Sequence, residues 1–407
     1  MSDNTEMFPG TPLAGSEWIE KDWNLAYARA VQLFEPTSPI DQNRFFAGRI
    51  PQAVALLDSV YQKGAHSIIF GERGVGKSSL ANIIQERVPP EVSNIRFVKV
   101  NCRPRDTFFE LWGNALYDFD YDEGENIGDA LNGETREFVV NKILEKLQKV
   151  QRYVFIFDEF DRVESAEVKR AMADTIKHFS DYPTNVTIII VGVGFSIIEL
   201  FGAHPSIERC CRQIPIERMG PDECMKIIKD RLTEIGLHCQ YRNLSEIVDL
   251  AQGFPGFVHL LGREASVAAI EDKSRAIKEE HIATAILNGE EKAQESLRRL
   301  YTKATYSAKA NKYKEVLTAC AMADKDELGM FSPSDVTSQL EDIYKKTGSY
   351  IKPIEIGHFA RHLAAFCEEG RGPVLRKTGK PKRYQYQFLD APFQPYVKLK
   401  GRKLGLI

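Results

Sequence analysis

The sequence offers little for several common classes of protein. Its 407 residues include seven cysteines, at 102, 210, 211, 224, 239, 320 and 367, but no CxxC pair. Cys210 and Cys211 are adjacent and poorly placed to chelate one metal together. The pattern implies reduced thiols, not a disulfide framework or a zinc site. No apolar run approaches the ~20 residues that a membrane span needs. The longest, Val186 to Val193, has the length of a strand. Met1 to Gly15 lacks both a basic start and an apolar core, so no signal peptide is expected and a cytoplasmic location is. Neither sign of charge dominates: 54 Lys and Arg face 57 Asp and Glu, a net charge of −3. The chain is no polycation, and any nucleic-acid surface must be local. Nothing resembles a nuclease, protease or deaminase centre, so such a step would fall to a separate effector protein.

What is present is ordinary for a globular protein, with 43% hydrophobic and 27% charged residues. The length fits two to three domains with cores large enough to need no staples. Residues 1–40 begin polar and rich in Pro and Gly. A helical stripe follows, formed by Trp18, Ile19, Trp23, Leu25, Ala26, Ala30, Val31 and Phe34. Residues 41–219 alternate short apolar strands with helices. The strands are Ser67–Phe70, Ile95–Val100, Tyr153–Phe157, Val186–Val191 and Arg212–Ile216. The helices are Gly76–Arg87, Asp106–Asp118, Thr135–Val150 and Ser165–Ser180. This order predicts an α/β fold with a parallel sheet. Residues 220–290 lose the strands and read as a helical lid: Pro221–Ile235, Ser245–Ala251, Pro255–Glu271 and Lys278–Leu287. Residues 291–312 read as a charged linker or connecting helix. Residues 313–407 read as three helices and a hairpin, a winged-helix pattern. There Ser332 and Pro333 cap the second helix, and Thr378-Gly379-Lys380-Pro381 is the turn.

Chemistry concentrates in two places. Gly71-Glu72-Arg73-Gly74-Val75-Gly76-Lys77-Ser78 is a complete P-loop between a predicted strand and a predicted helix. Its glycines let the backbone curl so that N–H groups point at phosphate. The helix that Ser79 continues adds its positive end. Lys77 reaches the outer phosphates of ATP, and Ser78 offers a hydroxyl to Mg²⁺. The apolar run Tyr153–Phe157 ends in Asp158-Glu159. Asp158 is placed to hold Mg²⁺ through water, and Glu159 to orient and deprotonate the attacking water.

With Phe46-Ala47-Gly48-Arg49 ahead of the P-loop and Asp158-Glu159-Phe160-Asp161 after it, the chain resembles the AAA+ ATPases. More closely, it resembles the branch of origin-recognition initiators and STAND signalling ATPases, over residues 40–290. The resemblance implies that Phe46 and Arg49 line the adenine side. It places the first sensor within Val191-Gly192-Val193-Gly194-Phe195-Ser196, where Phe195 or Ser196 replaces the usual Asn and Ser196 is the better candidate. It assigns the arginine finger to Arg209, with Arg212 second. Gly253-Phe254-Pro255-Gly256 looks like a STAND lid turn, with Pro255 near the nucleotide and without the initiators' sensor arginine. His259 or Arg263 would then reach phosphate. Irregular sensors imply slow, regulated hydrolysis, and the family implies a homo-oligomer.

From Arg371 onward ten Lys and Arg are opposed only by Asp390. They are Arg371, Arg376, Lys377, Lys380, Lys382, Arg383, Lys398, Lys400, Arg402 and Lys403. A basic wing and tail of this kind suits the phosphates of DNA. Tyr384 and Tyr386 alternate with Gln385 and Gln387, which sets the aromatics on one face. The third helix, Pro353–Glu369, would be the recognition helix, with Lys352, His358, Arg361 and His362 as its polar residues. His358 and His362 have metal-pair spacing but no third ligand. Two functions follow: an ATP-driven AAA+ switch that acts on DNA or on a DNA-acting partner, or a STAND-type ATPase that gates a separate effector without binding DNA, as in bacterial antiviral defence.

Overall fold

The computed structural model describes residues 18–36, 48–89, 94–117, 120–122, 125–126, 144, 151–182, 184–194, 196–202, 205–308, 311–326, 329–348, 353–380 and 383–407. Phe46, Phe195, Lys352, Lys382 and all but one residue of the expected helix Thr135–Val150 lie outside them. The chain divides into two compact units, residues 39–218 and residues 1–38 together with 219–407.

Helix α1 (Glu20–Leu33) belongs to the second unit. The first unit runs α2 (Ile50–Tyr61), β1 (His66–Gly71), α3 (Lys77–Glu86), β2 (Ile95–Asn101) and α4 (Phe108–Ala115). A short antiparallel pair follows, β3 (Asp120–Asp122) with β4 (Glu125–Asn126). Then come β5 (Arg152–Asp158), α5 (Ala166–Asp181), β6 (Val186–Val193), α6 (Ile197–Phe201), α7 (Pro205–Cys210) and β7 (Cys211–Pro215). The five expected strands form one parallel sheet in the order β2-β5-β6-β1-β7. Helices cover both faces, which is why β5 and β6 read as unbroken apolar runs. Trp112 of α4 centres one face, its ring 5.3 Å from Phe155 and 5.1 Å from Phe157, both edge-on. Thr107 and Glu110 cap α4 reciprocally, and Ser165 caps α5. Because β6 lies between β1 and β5, the P-loop and the acidic pair leave the same end of the sheet two strands apart.

The second unit adds α8 (Pro221–Ile235), α9 (Tyr241–Ala251), α10 (Pro255–Glu271) and α11 (Glu279–Lys292) to α1. Strands are not absent here, contrary to expectation. After Gly236 ends α8 with φ 88°, β8 (His238–Cys239) pairs in parallel with β9 (Ala276–Ile277). Two-residue strands are too short to show a period in sequence. Arg231 of α8, buried, donates to the Leu33 and Ile227 carbonyls and so fastens the end of α1. Next come α12 (Glu295–Thr305), α13 (Tyr313–Met322), α14 (Pro333–Lys346) and α15 (Ile356–Ala365), then β10 (Leu375–Lys380), β11 (Arg383–Phe388) and α16 (Phe393–Lys403). Of the two readings of residues 291–312, linker or connecting helix, most of the stretch is helix α12, with Leu297 and Tyr301 buried. Pairing of β10 with β11 runs through Thr378–Lys380 to Lys380 opposite Arg383, so Thr378, Gly379 and Lys380 are strand residues where a turn was expected.

The basic tail is a packed helix. Lys398 pairs with Asp249 at 2.7 Å, Lys400 and Lys403 with Glu290 at 2.6 and 2.8 Å, and Arg402 with Glu246 at 2.7 Å. Burial works to raise the Glu290 carboxyl. Hydrogen bonds from Lys400, Lys403 and Tyr396 outweigh it and hold the group down at about 2. Counting Asp390 alone as the opposing charge was therefore wrong, because the opposing acids lie far back in the chain. Arg371 is likewise spoken for: it donates to the Ala304 and Tyr306 carbonyls at 2.8 Å each and covers the Tyr313 ring.

His66 heads β1, 1% exposed, and its Nδ1 accepts from the Ile188 N–H at 3.0 Å. Burial lowers its pKa from 6.5 to about 4. The unfolded chain therefore binds the extra proton between those values. The contribution to stability is full above pH 6.5 and falls by roughly 3 kcal/mol as pH drops to 4. Denaturant titrations across this range should show that loss. His66→Asn, whose carbonyl can take the same N–H, should flatten it, and an unchanged slope would remove His66 as the cause.

Candidate nucleotide site

The P-loop joins the carboxyl end of β1 to the first turn of α3. Gly71, Gly74 and Gly76 have φ of 152°, 80° and 96°, where side chains are strained. A Cβ on Gly71 would lie 2.2 Å from the Ile216 carbonyl oxygen. The loop thus needs its glycines and presents backbone at the start of a helix, an end suited to anions. Val75 is fully buried beneath it.

Lys77 is nearly buried and donates to the Gly71 and Glu72 carbonyls at 3.0 and 2.7 Å. Burial lowers its pKa to about 8, against the pull of Asp161, Asp158 and Glu72. An anion in the loop would favour the charged ammonium and draw it off those carbonyls. Ser78 donates to Asp158 Oδ1 at 3.1 Å. The P-loop hydroxyl and the strand-end carboxylate, 80 residues apart, therefore meet as the sequence requires for a Mg²⁺ site. A hydroxyl and a carboxylate are hard oxygen donors that leave room for water, which fits Mg²⁺. Ser79 continues α3 behind them.

Glu159 follows in the left-handed region at φ 57°, with an exposed side chain that accepts from Arg162 Nη1 at 2.6 Å. Asp161, the last acid of the motif, accepts from the Val193 N–H at 2.8 Å and so ties β6 to the end of β5. Cys102 packs next to them. Burial first, then the acids Asp106 and Asp158, push its thiol up to about 12, so it is no nucleophile.

Two arginines brace the loop. Arg49, 6% exposed and at φ 56°, donates to the Val75 carbonyl at 2.8 Å and the Glu217 carbonyl at 2.7 Å. Arg218 grips both oxygens of Glu72 at 2.5 and 3.0 Å. Arg73, at the loop tip, is exposed.

The remaining candidates lie as follows. The Ser196 hydroxyl caps α6 by accepting from the Glu199 N–H. Arg209 is exposed in the last turn of α7. Arg212 is held by Asp58 at 2.8 Å. Pro255 opens α10 at its first position. His259, 3% exposed, stands edge-on to Phe34, and burial, then Arg231, lowers its pKa to about 3. It is a core residue of the second unit and offers no charge to a phosphate. In the C-terminal region His362 is also buried, against Tyr313, while His358 is exposed and caps α15, so the two form no metal pair. Tyr386 is buried beside Phe331, with which it exchanges two backbone hydrogen bonds. The hairpin's aromatic face is therefore core. Sequence reasoning missed Lys99, Arg162 and Arg218. Lys99, a cation near the carboxyl end of the strand Ile95–Asn101, carried a signal that could have been read.

A parallel β2-β5-β6-β1-β7 sheet with a P-loop after β1 and an acidic pair after β5 defines a P-loop nucleotide-binding fold of the AAA+ type. Residues 61–201 match the family model described as an AAA domain. The fold is similar to that of the Aeropyrum pernix ORC2 protein, solved as ADPNP–ADP complexes. The TM-score is 0.54 at 14% identity, over 92% of this chain and 97% of that one. A Walker-type ATPase of Pyrococcus abyssi is similar at TM-score 0.50 and 16% identity, over 90% and 99% of the two chains. No curated protein matches the sequence. No helix among the described residues is long and apolar enough to cross a membrane.

Arg49→Ala leaves two carbonyls without their donor inside the fold. It should lower stability by about 2–4 kcal/mol, read from urea denaturation. Arg49→Lys should recover less than half of that, because one ammonium cannot reproduce the guanidinium fork. Wild-type stability in Arg49→Ala would show that the brace does not hold the loop.

Proposed function

We propose that the protein is an ATP-hydrolysing AAA+ switch that assembles with further copies of itself when ATP is bound and acts on DNA or on a DNA-acting partner. The observation that carries the reading is the meeting of Ser78 with Asp158 beside Lys77 at the ends of β1 and β5. Lys77 binds the outer phosphates, and Arg49, with Phe46, shapes the adenine side. Mg²⁺, held by Ser78 and through water by Asp158, would supply charge stabilisation at the transferred phosphate. Glu159 then orients and deprotonates water, which is typically worth ~10²–10⁴ in rate. Arg209 would complete the site of a neighbouring copy, where a finger is worth ~10³–10⁵.

Slow, regulated turnover is the finer part of the reading. Glu159 is paired with Arg162, which must release it before it can hold a water. The Ser196 oxygen is engaged as a helix cap, and a short hydroxyl replaces the longer amide of the usual Asn in the first-sensor role. Glu159→Gln should keep ATP affinity, lower turnover by at least ~10² and accumulate an ATP-bound oligomer. Arg209→Ala should keep ATP affinity and lower turnover. Single-turnover hydrolysis with size-exclusion chromatography reads both, and normal turnover in Glu159→Gln would sink the catalytic assignment.

For DNA the hairpin is the candidate, read as the wing of a winged helix. Arg376, Lys377, Lys380 and Arg383 are exposed on its strands. Changing these four to Glu should abolish duplex binding at moderate salt and flatten its salt dependence. Lys400→Ala with Lys403→Ala should leave binding intact and lower the melting temperature instead. The reverse pattern would return DNA contact to the C-terminal helix. The pairing of four C-terminal cations with the protein's own acids thins the basic surface and favours a second reading, a STAND-type ATPase that gates a separate effector. Absence of DNA binding and of DNA-stimulated turnover in the wild-type protein would select it.

A further inference from the structure

One side chain outside the assigned motifs stands directly against the metal-holding carboxylate. Lys99 lies on β2 in register with Ile156 of β5. Ile156 and Asp158 share one side of β5, so the Lys99 stem runs along that side toward the acid. Its Nζ is 2.8 Å from Asp158 Oδ2. The same ammonium donates to Asn82 Oδ1 at 2.7 Å. Asn82 is one turn after Ser78 on α3, so the helix face that offers the P-loop hydroxyl also holds the lysine. The Asp158 side chain is 5% exposed and that of Lys99 31%. Asp158 Oδ1 already accepts from Ser78 Oγ at 3.1 Å and from the Glu159 N–H at 2.9 Å. Both carboxylate oxygens are thus engaged within the chain.

A buried carboxylate without a counter-charge is costly. The other charged groups nearby are occupied elsewhere. Lys77 is turned onto the P-loop carbonyls, Arg162 onto Glu159, and Asp161 onto the Val193 N–H. Lys99 is the cation that faces Asp158 from the open side of α3.

We propose that Lys99 is a positioning residue for Asp158 that stands in for the divalent cation in the nucleotide-free protein, and that it thereby sets the Mg²⁺ concentration at which the site loads. The inference rests on the nucleotide-site reading above. Mg²⁺ and the lysine ammonium compete for one carboxylate, because two cations there repel each other. Loading requires Lys99 to withdraw from Oδ2, and Asn82 is the partner that keeps it within reach. Removing the ammonium therefore has two effects of opposite sign. The metal-free protein loses a counter-charge and becomes less stable, while the loaded site loses a competitor and takes Mg²⁺ more readily. A merely structural lysine would produce the first effect without the second.

The test uses the full chain, a fluorescent ATP analogue and a Mg²⁺ titration, with melting curves recorded in EDTA without nucleotide. Lys99→Met should lower the half-saturating Mg²⁺ concentration by roughly tenfold, the scale of one neighbouring unit charge. It should also lower the melting temperature in EDTA. Lys99→Arg should stay near wild type in both. Asn82→Ala, which keeps the charge but loosens it, should shift the half-point in the same direction by less, and it serves if Lys99→Met fails to fold. An unchanged or raised Mg²⁺ half-point in Lys99→Met, or in Asn82→Ala where Lys99→Met does not fold, with a wild-type protein that loads normally, overturns the inference alone. A wild-type protein that binds no nucleotide at any Mg²⁺ concentration overturns the nucleotide-site reading and the inference with it.

Discussion

The Asp158 carboxylate lies at the end of strand β5 with almost no access to water. Such a group is tolerated only where every polar atom around it is arranged to suit it. Much of the first unit can be understood from that requirement. The hydroxyl of Ser78 comes from the first turn of α3, the N–H of Glu159 from a left-handed turn, and the ammonium of Lys99 from the neighbouring strand. Each comes from a different segment, and each is placed by the sheet order that sets β2 beside β5 and β1 two strands away. The same geometry that satisfies the acid sets a hydroxyl and a carboxylate side by side next to a phosphate-binding loop.

The second unit solves a similar problem with different residues. Glu290, 6% exposed, is held by Lys400, Lys403 and Tyr396 of α16. Close packing accompanies this: a Cβ on Gly401 would lie 2.6 Å from the Thr318 methyl. A last helix rich in lysine is thus part of the core of its unit. Arg231 plays the matching role for α1 by taking the Leu33 carbonyl. In both units charged side chains on distant segments act as fasteners.

This changes how basic residues in the chain should be weighed. Lysines and arginines with partners inside the fold have a structural explanation, and a ligand must compete with it. Lys398, Lys400, Arg402, Lys403, Arg371 and Arg212 fall in this group. The cations on the β10–β11 hairpin are exposed, which makes that hairpin the surface to examine for nucleic acid.

The order of strands and helices in residues 41–219, the P-loop and the acid pair were legible in the sequence because they rest on local signals. Strand runs covered on both faces, glycines at positive φ and a strand ending in acids are properties of a few consecutive residues. The role of Lys99 was not legible, since it depends on β2 lying beside β5. The fate of the basic C-terminus was not legible either, because its neutralising acids, Asp249, Glu246 and Glu290, stand more than a hundred residues earlier. The interior position of His259 depends on α1 packing against α10, and no stretch of sequence around His259 records it. By itself the sequence determined the five strands of the parallel sheet and where phosphate-type chemistry is encoded. The tertiary structure alone decided which charges face one another, because electrostatic partners are chosen by distance in space and not by separation along the chain.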